Sequence, residues 1–93
     1  MGQVFSFDLA VVGGGPAGLM AACAAAERGR TVAVLEYLPS PGRKLLASGA
    51  GKCNLTNVLE PDEMAARFAC NARRVLPSLR TLPPSALRQW FAR

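Results

Sequence analysis

The sequence predicts an α/β fold in which one βαβ unit leads into a long loop and then two short helices. Three observations carry this expectation. A short apolar run, Phe7 to Val12, is halted by three consecutive glycines. An alanine-rich stretch from Leu19 to Glu27 comes next, and a second β-branched run, Thr31 to Glu36, follows it. Short apolar runs bounded by glycine suit strands buried on both faces of a parallel sheet, and parallel neighbours need a crossover between them.

Each element has its own local reason. Gly13-Gly14-Gly15-Pro16-Ala17-Gly18 turns the chain out of the first strand. Pro16 suits the opening of a helix, because the N–H it lacks is one the first turn can spare. The leucine, methionine and alanines from Leu19 onward are strong helix formers. Gly29 is placed to end that helix, with Arg28 and Arg30 beside its negative C-terminal end. Strand, turn, helix and strand make a right-handed βαβ unit of about 30 residues.

Within the unit, Gly13, Gly15 and Gly18 spell G-x-G-x-x-G. Gly13 allows the tight turn, Gly15 lets the backbone approach a pyrophosphate without a Cβ, and Gly18 lets helix and sheet pack closely. The free N–H groups and the positive end of the new helix then face the phosphates. Glu36 ends the second strand, where a carboxylate accepts both hydroxyls of an adenosine ribose and repels the extra phosphate of NADP. The competing reading is a glycine turn in an unrelated α/β protein, with Glu36 merely solvated. Preceding strand, following helix and distant acid are met together, which favours a Rossmann-like FAD/NAD(P)-binding domain. The turn itself does not choose between FAD and NAD.

Composition narrows the chemistry. The 93 residues include no histidine, which excludes a Ser-His-Asp triad, a Cys-His pair and an H-E-x-x-H metal helix. Cys23, Cys53 and Cys70 form no C-x-x-C, which argues against a metal site; they read as reduced thiols, two or three of them buried as small hydrophobes. Charge is lopsided. Residues 1–42 hold three acids against Arg28 and Arg30, whereas residues 43–93 hold nine basic residues against Glu60, Asp62 and Glu63. Such a half suits an anionic partner, but the arginines are irregularly spaced with few aromatics between them, so no nucleic-acid groove is expected. No segment reads as a signal peptide or a membrane span, and Met1-Gly2-Gln3-Val4-Phe5-Ser6 is taken as a chance match to a myristoylation pattern. A cytoplasmic protein is expected.

Residues 38–57 are dense in Gly, Pro, Ser and Asn and should be mostly irregular backbone, with Arg43, Lys44 and Lys52 adding cations beside the phosphate site. G-G-G-P-A-G-L-M-A-A, the strand-end glutamate and then G-R-K-L-L-x-S-G-x-G-x-C-N-x-T-N strongly resemble a family of bacterial flavoproteins that includes aminoacetone oxidase-like enzymes and a bile-acid dehydro-reductase. The resemblance covers residues 7–57. It implies FAD on a Rossmann-like domain with an inserted substrate domain, and NAD(P)H as a candidate electron donor. On that resemblance Gly13, Gly15, Pro16, Ala17 and Gly18 form the pyrophosphate turn and Glu36 takes the adenosine ribose. Arg43 and Lys44 flank the adenosine-diphosphate half, while Ser48, Gly49 and Asn54 belong to a stretch wrapping towards the flavin. The sequence carries Ala50 and Lys52 where the family pattern leads one to expect glycine and arginine. Cys53 is read as a small buried residue in preference to a redox thiol, since no resolving cysteine is near. No catalytic residue is assigned.

In the last third, Pro61-Asp62-Glu63 followed by Met64, Ala65, Phe68, Ala72 and Val75 reads as one helix, which Pro77 prevents from extending far. A second short helix follows Pro83-Pro84-Ser85, with Leu87, Trp90 and Phe91 on one apolar face. Two strands cannot make a stable doubly wound sheet. Residues 1–93 are therefore expected to be the N-terminal fragment of a longer flavin-dependent oxidoreductase acting on a small molecule, inactive alone. A segment of a NAD-dependent Rossmann dehydrogenase and a non-catalytic adenine-nucleotide-binding fragment are the alternatives.

Overall fold

A computed structural model describes residues 2–52 and 54–93. They form two units, Met1–Asn54 and Leu55–Arg93, each with its own packing.

In the first unit, strand β1 (Leu9–Val12) and strand β2 (Val32–Leu35) flank helix α1 (Pro16–Glu27). The strands pair in parallel, Leu9 opposite Val32 and Val12 opposite Leu35. A polar clasp sets this register. Thr31 donates to Asp8 Oδ2 through its backbone N–H at 2.8 Å and its hydroxyl at 3.1 Å, and Asp8 N–H donates to Thr31 Oγ1 at 2.9 Å. Val11 Cγ1 lies against Gly18, so Val11 faces α1. By strand alternation Val12 and its partner Leu35 face the other way, where they are 85% and 56% exposed. One face of the sheet is covered and the other is bare apolar surface.

Helix α1 ends as its sequence requires. Gly29 adopts φ +76°, and the N–H groups of Gly29 and Arg30 donate to the carbonyls of Ala26 and Ala25, a Schellman closure. Arg28 adds a guanidinium bond to the Ala24 carbonyl at 2.8 Å. Cys23 and Cys70 are exposed, contrary to the expectation of buried thiols. For Cys23 the reason is the helix's uniform alanine-rich surface: only one side of α1 meets the sheet, and Cys23 is on the other. The expectations for Cys53 lie outside the described residues.

The loop after β2 is more regular than expected. Gly42 enters the left-handed region (φ +72°) and launches a short helix, α2 (Arg43–Ala47). Arg, Lys, Leu and Ala are good helix formers, and Leu45 is half-buried, which gives the turn an inward side. A 3-10 turn follows at Gly49–Gly51.

In the second unit, the single helix expected from Pro61 is two. Helix α3 (Pro61–Ala66) stops, Ala69 takes φ +49° within a 3-10 turn, and α4 (Ala72–Thr81) starts afresh. Asp62 and Glu63 do occupy the first turn of α3 as expected. Pro77 lies inside α4 and removes one backbone bond without ending the helix. The compensation is an apolar stripe: Ala72, Val75, Leu76 and Leu79 are all half-buried at i, i+3, i+4 and i+7, and α4 packs on α3, where Ala65 is buried. An exposed Arg80–Asp62 ion pair at 3.1 Å spans the same two helices. Helix α5 (Pro84–Phe91) is tied back by a bond from the Arg88 guanidinium to the Asn57 carbonyl. Leu87 and Trp90 are half-buried as expected, whereas Phe91 is exposed and meets Trp90 edge-to-face at 4.8 Å.

Candidate functional site

Two different physical demands account for Gly13 and Gly18 in the glycine turn between β1 and α1. Gly13 sits at φ +99°, where an L side chain is strained, and its N–H extends the ladder by donating to the Leu35 carbonyl at 2.8 Å. Gly18 has no room for a side chain: a Cβ there would lie 1.9 Å from the Gly13 carbonyl oxygen. Gly15 meets neither demand. Its backbone is extended (φ −82°, ψ −174°), and a Cβ built on it would touch nothing within 4 Å. Among the described residues nothing demands glycine at this position. A ligand whose phosphates passed close to the backbone would.

What such a ligand would meet is the start of α1. Gly15 provides no side-chain cap, and Pro16 has no N–H. Leu19 N–H closes the first turn on the Gly15 carbonyl at 2.9 Å, leaving the N–H groups of Ala17 and Gly18 without intrahelical acceptors. Donors and the positive helix end thus share one place, the arrangement suited to phosphate.

Glu36 is brought to the same turn. Its Oε1 accepts the Gly14 N–H at 3.2 Å, and the residue is half-buried. Gly14 also accepts a 2.8 Å bond from Gly42 N–H, which ties the start of α2 to the turn. This part was not expected, because Gly14 reads in the motif only as a spacer. The surplus glycine of the triplet was the available signal. Helix α2 carries the exposed Arg43 and Lys44. Arg43 Nε donates to Ser40 Oγ at 3.2 Å, and these two residues line an open groove with Leu46 and Ala47.

Ser48, Gly49 and Asn54 form a second cluster beyond α2. Ser48 Oγ donates to the Leu45 carbonyl at 2.9 Å. Gly49 is left-handed (φ +59°), and Asn54 closes over it so tightly that a Cβ would lie 2.9 Å from Asn54 N. Among the described residues, no hydrogen bond joins this cluster to the glycine turn. Beside it, Ala50 adopts φ +51°, ψ +41°, the conformation that explains a glycine in the family pattern. The left-handed region costs an L residue roughly 1–2 kcal/mol, partly offset by the greater chain entropy of glycine. Ala50→Gly is therefore expected to stabilise the chain by about 0.5–1 kcal/mol, read as a raised urea midpoint at unchanged slope. A lowered midpoint would count against that strain.

No group of three or more His, Cys, Asp or Glu among the described residues could hold a metal ion, and none of their helices is long and apolar enough to cross a membrane. A parallel β-turn-α-β unit with a glycine turn and a strand-end glutamate defines the Rossmann class of nucleotide-binding domains, a class at home in oxidoreductases. The chain belongs to the family described as HI0933-like protein Rossmann domain, matched over residues 7–93. The match reaches through the second unit, beyond the residues that carried the resemblance in the sequence.

Relatives bear out that resemblance. The ribosomal RNA dihydrouridine synthase of Escherichia coli (strain K12) is 43% identical over 56 residues, 59% of this chain and 14% of that protein. The 3-dehydro-bile acid delta(4,6)-reductase of Clostridium scindens is 45% identical over 51 residues, 53% of this chain and 12% of the relative. The digeranylgeranylglycerophospholipid reductase of Methanoculleus marisnigri is 41% identical over 58 residues, 61% of this chain and 15% of the relative. The matched stretch is thus only 12–15% of each of these relatives.

Proposed function

We propose that this chain holds the adenosine-diphosphate half of FAD and serves as the FAD-binding segment of a longer flavin-dependent oxidoreductase. The observation that carries the reading is Gly15, a glycine that no contact among the described residues requires, at the start of a helix whose Ala17 and Gly18 N–H groups have no intrahelical acceptor. Gly13, Pro16 and Gly18 shape the pyrophosphate turn, Glu36 accepts the ribose hydroxyls, and Arg43 and Lys44 lie on the phosphate side. Ser48, Gly49 and Asn54 extend the grip towards the ring. Bound FAD would supply the redox chemistry through its isoalloxazine, leaving the protein to bind and orient it. NAD(P)H is the proposed electron donor, and the small-molecule substrate is bound by parts of the longer protein.

The bare apolar face of the β1–β2 sheet supports the second half of the proposal. Parallel sheets are stable only with both faces covered and more strands alongside. The 93 residues alone are expected to bind FAD weakly and to be catalytically silent. The test is a visible spectrum and an FAD titration, on this chain and on a version extended by further strands. Flavin absorbance in the extended protein and weak binding by the short chain are expected. A stoichiometric yellow complex of the short chain would overturn the fragment reading, and NADH binding without flavin absorbance in the extended protein would overturn FAD.

A further inference from the structure

Gly14 is buried, and its peptide groups reach in two directions. Its N–H donates to Glu36 Oε1 at 3.2 Å and its carbonyl accepts from Gly42 N–H at 2.8 Å. A Cβ built on it would lie 2.9 Å from Pro41 Cβ and 3.5 Å from Glu36 Cβ. Its φ is not in the left-handed region, so close approach and not backbone conformation is what demands a glycine. Glu36 Oε1 is thereby occupied, while Oε2 has no hydrogen-bond partner among the described residues.

We propose that Gly14 is a positioning residue for ribose recognition: with Pro41 and Gly42 it clamps the Glu36 carboxylate to the phosphate turn, leaving the second oxygen for a vicinal diol. The inference rests on the dinucleotide reading above and deepens it. A glutamate free at a strand end samples many rotamers, and ordering it would weaken each ribose contact. Held by Gly14 N–H, it is ordered before the ligand arrives, which is the general way that preorganisation strengthens binding. Glu36 also keeps a fixed position relative to the phosphate site, because one peptide unit belongs to both.

The test compares ADP with 2′-deoxy-ADP, titrated into the full chain and followed by amide NMR. The unmodified chain is expected to prefer ADP by about tenfold. In Gly14→Ala the Cβ drives Pro41 away and the preference falls towards one, while binding that depends on the diphosphate persists. Pro41→Gly, added to Gly14→Ala, removes the overlapping atom and restores the preference. A merely structural role would weaken both ligands equally. The same titration on the unmodified chain needs no variant to fold: the Gly14 amide should shift with ADP and much less with 2′-deoxy-ADP. An equal response to the two ligands, or an unchanged preference in Gly14→Ala, would overturn the clamp alone. No response to ADP by any amide of residues 13–18 would overturn the dinucleotide reading with it.

Discussion

Gly18→Ala is expected to abolish the cooperative folding of the βαβ unit. The new Cβ would stand 1.9 Å from the Gly13 carbonyl oxygen and 3.2 Å from Val11 Cγ1. Overlap with a flexible side chain can be relieved by a rotamer change, but this partner is backbone. Gly13 cannot swing its carbonyl aside cheaply, because its N–H is bonded to the Leu35 carbonyl and its φ of +99° is part of the turn. The remaining relief is to lift α1 off the sheet, which exposes the sheet face that α1 covers. Overpacking of this kind costs about 3 kcal/mol or more, comparable with the whole stability of a unit this small. Urea unfolding followed by far-ultraviolet circular dichroism checks it. A variant that retains a sharp transition within 1 kcal/mol (roughly) of the parent would show that the helix can shift at little cost.

Gly15→Ala should do the opposite, sparing the fold and removing the ligand. The backbone at residue 15 is extended and the space around its Cβ is empty, so alanine fits without strain. By shortening the list of unfolded conformations, the change should leave stability equal or raise it by about 0.4–1 kcal/mol. The same methyl group would fill open space beside the turn, on the side where the proposed phosphates would pass. A loss of at least tenfold in affinity for ADP is expected, about 1.4 kcal/mol, measurable by NMR titration. Unchanged affinity would take away the observation on which the proposed function stands. The pair of variants is informative because the two glycines look alike in the motif, yet one answers to the fold and the other, on the proposed function, would answer to a ligand.

The first unit was legible because its signals are local. Apolar runs at Phe7–Val12 and Thr31–Glu36 became β1 and β2, shortened by a residue or two at their ends, and Gly29 closed α1 as placed. The helix break at residues 67–71 was not legible. Pro77 looked like the stronger punctuation, yet the half-buried stripe of Ala72, Val75, Leu76 and Leu79 keeps α4 going through it. Packing across two helices outweighed one lost backbone bond, and neither the packing nor its partner helix can be read from a local window. The short helix α2 was missed for a similar reason, since the glycine and proline content around Arg43–Ala47 masked five good helix formers.

The sequence by itself determined the βαβ unit, the glycine turn and the acid that answers it, because each depends on residue type at short range: φ tolerance, helix propensity, a carboxylate at a strand end. Only the tertiary structure decided which glycine serves which purpose. It separated Gly18, excluded by the Gly13 carbonyl, from Gly15, which faces open space, and it raised Gly14 from a spacer to the point where Glu36 and Gly42 meet. The physical reason is distance. A glycine's role is set by what its absent Cβ would touch, and those neighbours lie up to 27 positions away along the chain, at Pro41 in the case of Gly14.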